Sequence, residues 1–303
     1  MVLNQYLFHN LIMIVCKFSL LSYLINIIYH IMSIHSVSLK GRRDNNEDKD
    51  TKILNIDRRN KNMMPINFFA VYDGHGGKYV SNYLSENLPK YFMNSPEFPF
   101  TKKYTSRIFA DVQNKLRTQH KSAASYCGST CLCLIHYVEN DENYINVFNV
   151  GDSRCIICRD NIAIPLTLDH KPMAPVEKRR IEKLGGNIYF DGGTYRIKDY
   201  SVSRAFGDTA AEPYLSAKPD IYKYKLEKSD KFIVLACDGL YDVLSNQDII
   251  DFILNECYDE TLTNRINKGN NNTNTVNIAK KLGERAIHMG SDDNITIIII
   301  FLD

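Results

Sequence analysis

Two segments of the chain are built alike, and together they restrict the fold it can adopt. Asn67-Phe-Phe-Ala-Val-Tyr-Asp73-Gly74 and Lys231-Phe-Ile-Val-Leu-Ala-Cys-Asp238-Gly239 are both apolar runs that end in Asp-Gly. Each reads as a buried strand that carries a carboxylate to its tip, beside a glycine that lets another group approach the backbone closely. A lone Asp-Gly is usually a turn. Two of them, each closing a hydrophobic strand, point to a site.

Further runs of strand length recur at Ile34–Leu39, Ser129–Val138, Tyr144–Val150, Arg154–Cys158 and Asn294–Leu302. They are rich in Val, Ile, Phe, Tyr and Thr and bounded by Gly, Asn or Asp. Between them apolar periodicity predicts helices over Gly77–Phe92, Thr105–His120, Val176–Leu184, Gln247–Cys257 and Thr275–His288, the third stopped by Gly185-Gly186. Runs of strands with helices grouped in pairs indicate an α+β protein of stacked sheets covered by helices, not a βαβ alternation. From Ser33 to Asp303 no linker divides the chain, and Asn267–Asn274 reads as a low-complexity loop.

The chain has 303 residues and a net charge of +2, with no basic stripe, which argues against a nucleic-acid partner. Its eight cysteines form no framework. Cys131 and Cys133 would share one face of a strand, and the Cys155-Ile-Ile-Cys158 spacing lies inside another, so buried free thiols in a reducing compartment are the expectation. The N-terminus differs in character. Leu11–Ile31 is nearly continuous apolar sequence, broken by Lys17, Ser19, Ser22, Asn26 and His30, with Lys40, Arg42 and Arg43 after it. Two readings of residues 1–32 stand: a membrane anchor that leaves the remainder on the cytosolic side, or an extension upstream of a true start at Met32. No glycine at position 2 is available for myristoylation.

Two more acidic stretches join the Asp-Gly tips: Gly41-Arg42-Arg43-Asp44-Asn45-Asn46-Glu47-Asp48, and Gly290-Ser-Asp-Asp293-Asn-Ile-Thr before a β-branched strand. Either alone would be a solvated loop. Taken with Asp73 and Asp238, they give carboxylates from four distant segments, which would repel one another unless cations sat among them. Oxygen donors without His or Cys suit Mg²⁺ or Mn²⁺. His75, flanked by Gly74, Gly76 and Gly77, stands two residues beyond Asp73, placed for proton transfer near such ions.

These residues resemble those of the PPM family, the type 2C metal-dependent serine/threonine protein phosphatases. The similarity runs from about Ser33 to Leu302 through Arg43 with Glu47-Asp48, Asp73-Gly-His-Gly-Gly77, Gly128-Ser-Thr130, Gly151-Asp-Ser-Arg154, Leu166-Thr-Leu-Asp-His-Lys-Pro172, Ser203-Arg-Ala-Phe-Gly-Asp208, Ala236-Cys-Asp-Gly-Leu-Tyr-Asp242 and Asp293-Asn-Ile-Thr296. The resemblance implies a four-layer αββα sandwich, with two mainly antiparallel sheets flanked by helices. It implies that Asp73 bridges two Mn²⁺ or Mg²⁺ ions. Asp238 and Asp293 would complete one ion's protein ligands, and Glu47 with the Gly74 carbonyl would serve the other, Asp48 holding one of its waters. Asp152, Asp238 and Asp242 correspond to a third, weaker site. Arg43 matches the phosphate-binding arginine and His75 the general acid, so that a water between the metals attacks phosphoserine or phosphothreonine directly. Tyr241 stands where the family often carries Trp, and Tyr195–Ser203 runs one residue short of the family pattern.

The implied partners are phosphorylated proteins met by a monomer, in the cytosol or at a cytosol-facing membrane if residues 1–32 are an anchor. The main rival is an inactive or weak relative acting as a binding module, disfavoured because every ligand position, Arg43 and His75 are present. A nucleic-acid phosphodiesterase would commonly add His ligands and a basic groove.

Overall fold

The strands of this protein are apolar on both faces because each face is covered by something different. The structure is a computed structural model that describes residues 32–56, 65–93, 95, 97–266 and 276–302. The expectations for residues 1–31 and for the loop at 267–274 fall outside the described residues.

The strands are β1 (Ile34–Leu39), β2 (Lys49–Ile53), β3 (Asn67–Tyr72), β4 (Gly74–His75), β5 (Gly128–Ser129), β6 (Cys131–Glu139), β7 (Glu142–Val150), β8 (Arg154–Arg159), β9 (Ile162–Pro165), β10 (Ile188–Asp191), β11 (Thr194–Ile197), β12 (Phe206–Gly207), β13 (Asp220–Lys225), β14 (Asp230–Ala236) and β15 (Ile295–Phe301). The helices are α1 (Tyr79–Phe92), α2 (Lys102–Gln119), α3 (Lys121–Ala124), α4 (Pro175–Lys183), α5 (Asp238–Tyr241), α6 (Asn246–Cys257) and α7 (Ile278–His288). One five-stranded sheet has the order β1-β15-β14-β8-β9 and the other β13-β7-β6-β3-β2, both antiparallel throughout.

Side-chain alternation divides the core into three. Phe69, Val71, Leu132, Leu134, Ile145 and Val147 of one sheet meet Ile157, Ile233, Leu235, Ile298 and Ile300 of the other. The opposite faces carry Phe68, Ala70, Cys133 and Phe148 under α1 and α2, and Ile156, Val234, Ile297 and Ile299 under α6 and α7. The expected αββα sandwich is therefore what the chain forms. Cys155 and Cys158, an odd number of residues apart in β8, point into different core layers and share no site.

A smaller unit, built on α4 and the β10–β11 hairpin, packs around Ile181, Ile197, Val202, Ala205 and Leu215. Gly185 ends α4 at φ +78°, and the Gly186 N–H returns to the Ile181 carbonyl at 2.9 Å, closing the helix as the paired glycines predict. The unit is fastened by a buried carboxylate: Glu177 accepts from Arg204 at 2.6 and 3.0 Å and from Arg180 at 2.8 and 3.1 Å. Despite burial, these guanidinium groups hold the Glu177 carboxyl down at about 2.

Candidate metal centre

The two sheets each send one strand tip to the same end of the sandwich. Asp73 follows β3 in one sheet, and Asp238 follows β14 in the other. Asp152 lies in the turn joining β7 to β8, and Asp293 stands ahead of β15. Carboxylate oxygens of Asp73, Asp152 and Asp238 lie within 4.8 Å of one another. They border a cleft of ≈ 420 Å³ that Arg43, Glu47, Gly74, His75, Asp293 and Asn294 also line.

The backbone around Asp73 is fixed from both sides. Its N–H donates to the Thr130 hydroxyl at 3.1 Å, and its carbonyl accepts from the Thr130 N–H at 2.8 Å. The Thr130 hydroxyl is shared with that of Ser153 at 2.7 Å, beside Asp152. At Gly74 the need for glycine is steric: a Cβ there would stand 2.4 Å from the Glu47 carbonyl oxygen. Glu47 is thereby held against the Asp73-Gly74 turn, with its carboxylate accepting from the Gly77 N–H at 3.0 Å.

The electrostatics record how crowded these acids are. Burial, then the charges of Asp238, Asp48, Asp152 and Asp293, drive the Asp73 carboxyl far above the usual carboxylate range. Burial and Asp152 push Asp238 up to about 8. Burial chiefly lifts Asp48 to about 6, and neither of its buried carboxylate oxygens has a hydrogen-bond partner. Buried like charges and an orphaned carboxylate fit a centre completed by divalent cations, and an all-oxygen donor set fits Mg²⁺ or Mn²⁺.

Arg43 and Lys171 bring positive charge to the cluster. Arg43 gives one guanidinium N–H to Asp293 at 2.7 Å and its Nε–H to the Asp292 carbonyl at 3.0 Å. This grip on Asp293 distinguishes it from the tight Asp73, Asp152 and Asp238 group. Lys171 places its ammonium on Asp152 and lies 3.8 Å from Asp238. Although burial opposes it, the charges of Asp152 and Asp238 push the Lys171 pKa up. Asp242 is exposed, and its N–H donates to the Asp238 carbonyl at 2.8 Å, so the two acids are stacked one turn apart along α5.

His75 reaches the cleft through a small sheet, in the order β12-β5-β4. His75 pairs with Gly128, and Gly128 pairs with Gly207, which brings Asp208 beside the imidazole. The His75 Nε2 to Asp208 Oδ2 distance is 2.6 Å. A Cβ on Gly128 would stand 2.0 Å from the Asp208 carboxylate and 2.5 Å from His75 Nε2, so only glycine lets the pair meet. Burial works against the imidazolium, but the hydrogen bond and charge of Asp208 outweigh it, and the His75 pKa is raised.

Three contributors carry no role in the sequence reading: Asp208, Asn294 and Lys171. Asn294 donates to the carbonyls of Lys40 at 2.8 Å and Asn45 at 2.9 Å and accepts from the Glu47 N–H at 2.9 Å, pinning the loop that bears Arg43 and Glu47. All three sit in the motifs quoted above, and that position was their only signal. Tyr241 does more than fill space: its hydroxyl donates to the Arg154 carbonyl at 3.0 Å under the Arg154 guanidinium, 4.5 Å from its ring centroid.

Comparison with known proteins identifies the family. The family model described as Protein phosphatase 2C matches residues 32–295, and the chain belongs to that family. Among curated relatives, a PP2C-like domain-containing protein of Acanthamoeba polyphaga mimivirus is 42% identical over 54% of this chain and 97% of its own length. Probable protein phosphatase 2C 11 of Arabidopsis thaliana is 35% identical over 87% of this chain and 64% of its own length. Among solved structures, one titled as a C. elegans sex determining protein superposes with a TM-score of 0.78 at 25% identity, covering 90% of this chain and 65% of that one. A serine-threonine phosphatase 2C from Toxoplasma gondii shares the fold with a TM-score of 0.72 at 21% identity, over 90% of this chain and 94% of that one. The chain is thus a phosphatase by family. Among the described residues, no helix is long and apolar enough to cross a membrane.

Proposed function

We propose that this protein is a metal-dependent serine/threonine protein phosphatase acting on phosphorylated proteins, with its catalytic unit in residues 33–303 and residues 1–32 outside the chemistry. The observation that carries this reading is the convergence of Asp73, Asp152 and Asp238 within 4.8 Å on a cleft that His75 and Arg43 line. Asp73, Asp238 and Asp293, with Glu47 and the Gly74 carbonyl, would hold two Mn²⁺ or Mg²⁺ ions, and Asp152 with Asp242 a third. When bound, such ions acidify water and offset the charge of a phosphoryl group.

The chain's own residues supply the rest. Arg43 brings a planar cation to the phosphate oxygens, a pairing that lysine cannot match in geometry. His75, whose imidazolium form Asp208 favours, delivers a proton to the departing serine or threonine oxygen, a poor leaving group without it. Asp48 orients a water at the edge of the cluster. The buried free thiols Cys127, Cys131, Cys133, Cys155, Cys158 and Cys237 favour a reducing, cytosolic setting.

The test is hydrolysis of phosphoserine, phosphothreonine and phosphotyrosine peptides by the full chain. Activity should vanish with a chelator, return with Mn²⁺ or Mg²⁺, and favour the first two peptides. Full turnover after exhaustive chelation would overturn the reading.

A further inference from the structure

The strip Asp169-His170-Lys171 is laid against the β7–β8 turn by three successive contacts. Arg154 grips the Asp169 carboxylate through Nε and Nη2 at 3.0 and 2.6 Å. The Gly151 N–H donates to His170 Nδ1 at 3.0 Å, and the His170 N–H donates to the Gly151 carbonyl at 3.0 Å. The buried His170 is anchored further by its carbonyl, which accepts from the Ser203 N–H at 2.8 Å. With its neighbour fixed twice over, Lys171 has its backbone set beside Asp152, and its ammonium completes the third contact. Among the described residues, no other ion pair reaches Asp152 or Asp238. The side chain itself is 38% exposed, so a path to solvent lies open to it.

We propose that Lys171 is a built-in counter-ion: its ammonium holds the Asp152–Asp238 side of the cluster together in the absence of metal, and it competes with the weakest-bound divalent cation for the same carboxylates. The inference rests on the metal-dependent reading above and specifies how that centre sets its own affinity. A protonated amine carries three donors and no lone pair, so it neutralises a carboxylate without ligating a metal. A divalent ion that needs Asp152 must therefore displace the ammonium, and the flexible stem of Lys171 lets it swing into water. Of the carboxylates assigned to the first two ions, Asp293 pairs with Arg43 at 2.7 Å and Asp238 lies 3.8 Å from the ammonium, whereas only the third ion needs Asp152, on which the ammonium sits directly. The arrangement lowers the affinity of one site selectively, and it also spares the metal-free protein from carrying Asp152 and Asp238 unpaired.

The experiment is calorimetric titration of the full chain, stripped by chelator, with Mn²⁺, in parallel for wild type, Lys171→Met and Lys171→Arg. Lys171→Met should tighten the weakest phase by about ten-fold or more, since one unit charge a few ångströms away is removed. Lys171→Arg should stay within a few-fold of wild type. The stripped Lys171→Met protein should also melt below wild type, and the gap should close at saturating Mn²⁺. A third phase that appears only in Lys171→Met would support the proposal as well. A weakest phase that is unchanged or loosened, or absent from every variant, would overturn it, since a purely structural lysine should not hold affinity down. If no variant, wild type included, takes up any Mn²⁺, the metal-centre reading itself fails, a distinct result. Should Lys171→Met not fold, ¹⁵N resonances of the lysine ammonium groups in the wild type, followed through a Mg²⁺ titration, give the answer. The signal lost in Lys171→Arg must move in the final phase, and a signal that never moves overturns the proposal.

Discussion

Asp73 and His75 stand two residues apart with opposite electrostatic problems. Asp73 is a carboxylate that its surroundings would rather keep protonated; His75 is an imidazole that Asp208 would rather keep charged. Asp73→Asn should lower turnover by more than about 100-fold, the upper end for partners that merely orient ligands. The same change should raise the melting temperature of the metal-free protein, because an amide, unlike the Asp73 carboxyl, need not take up a proton to sit among Asp238, Asp48, Asp152 and Asp293. Turnover and melts on the same samples check both halves. His75→Gln should slow hydrolysis of a phosphothreonine peptide by about 10²–10⁴-fold. It should cost an aryl phosphate far less, since that leaving group departs without a proton. Equal losses on both substrates at full metal occupancy would remove His75 from the acid role. The sequence made these positions legible because each sits in a local pattern, a strand tip or a glycine-flanked turn. Asp208 was not legible in the same way. Its meeting with His75 depends on three two-residue strands whose pairing no periodicity reveals.

At the scale of elements, the strands anticipated from apolar runs are mostly those inside the sheets. Those missed, β2, β9 and β13, are edge strands. Lys49-Asp-Thr-Lys-Ile53 and Asp220-Ile-Tyr-Lys-Tyr-Lys225 carry the charges that keep sheet edges from pairing with other chains, and those charges erase the apolar signal. The β10–β11 hairpin was hidden for a related reason: Tyr189, Phe190 and Tyr195 are exposed and Ile197 alone of its residues is buried, so apolarity does not alternate along it. Between elements, Asn294 joins the start of β15 to the loop after β1 through three hydrogen bonds. At about 1 kcal/mol each, Asn294→Ala should cost about 3 kcal/mol in urea unfolding. It should also weaken Mn²⁺ binding, because Glu47 and Arg43 hang on the loop it secures. Wild-type stability in that variant would show the loop to be held by its other contacts.

For the molecule as a whole, the acidic centre sets a pH dependence whose sign is opposite to that of an ordinary surface carboxylate. Asp238 faces Asp152, Asp242, Asp293 and Lys171, and its pKa rises to about 8 in the fold from an ordinary 3.8. Between those values the unfolded chain has released a proton that the folded chain retains, so raising the pH favours unfolding. The chelated protein should therefore melt at progressively lower temperature from pH 5 to about 8, and saturating Mn²⁺ should both raise the melting temperature and flatten the trend. A chelated protein more stable at pH 8 than at pH 6 would contradict the buried-charge account. A different consequence follows from where β15 lies. This Ile-rich strand sits between β1 and β14, so β1 has no sheet neighbour until β15 has been made. All the strands of the other sheet precede β14 and β15, and that sheet can assemble on the ribosome while its inner face, Phe69, Val71, Leu132 and Leu134, still waits for a cover. Biogenesis thus has a vulnerable interval, in which an open apolar face and an unpaired Ile-Ile-Ile-Ile segment coexist on one nascent chain. The interval closes when β15 emerges and pairs with both β1 and β14.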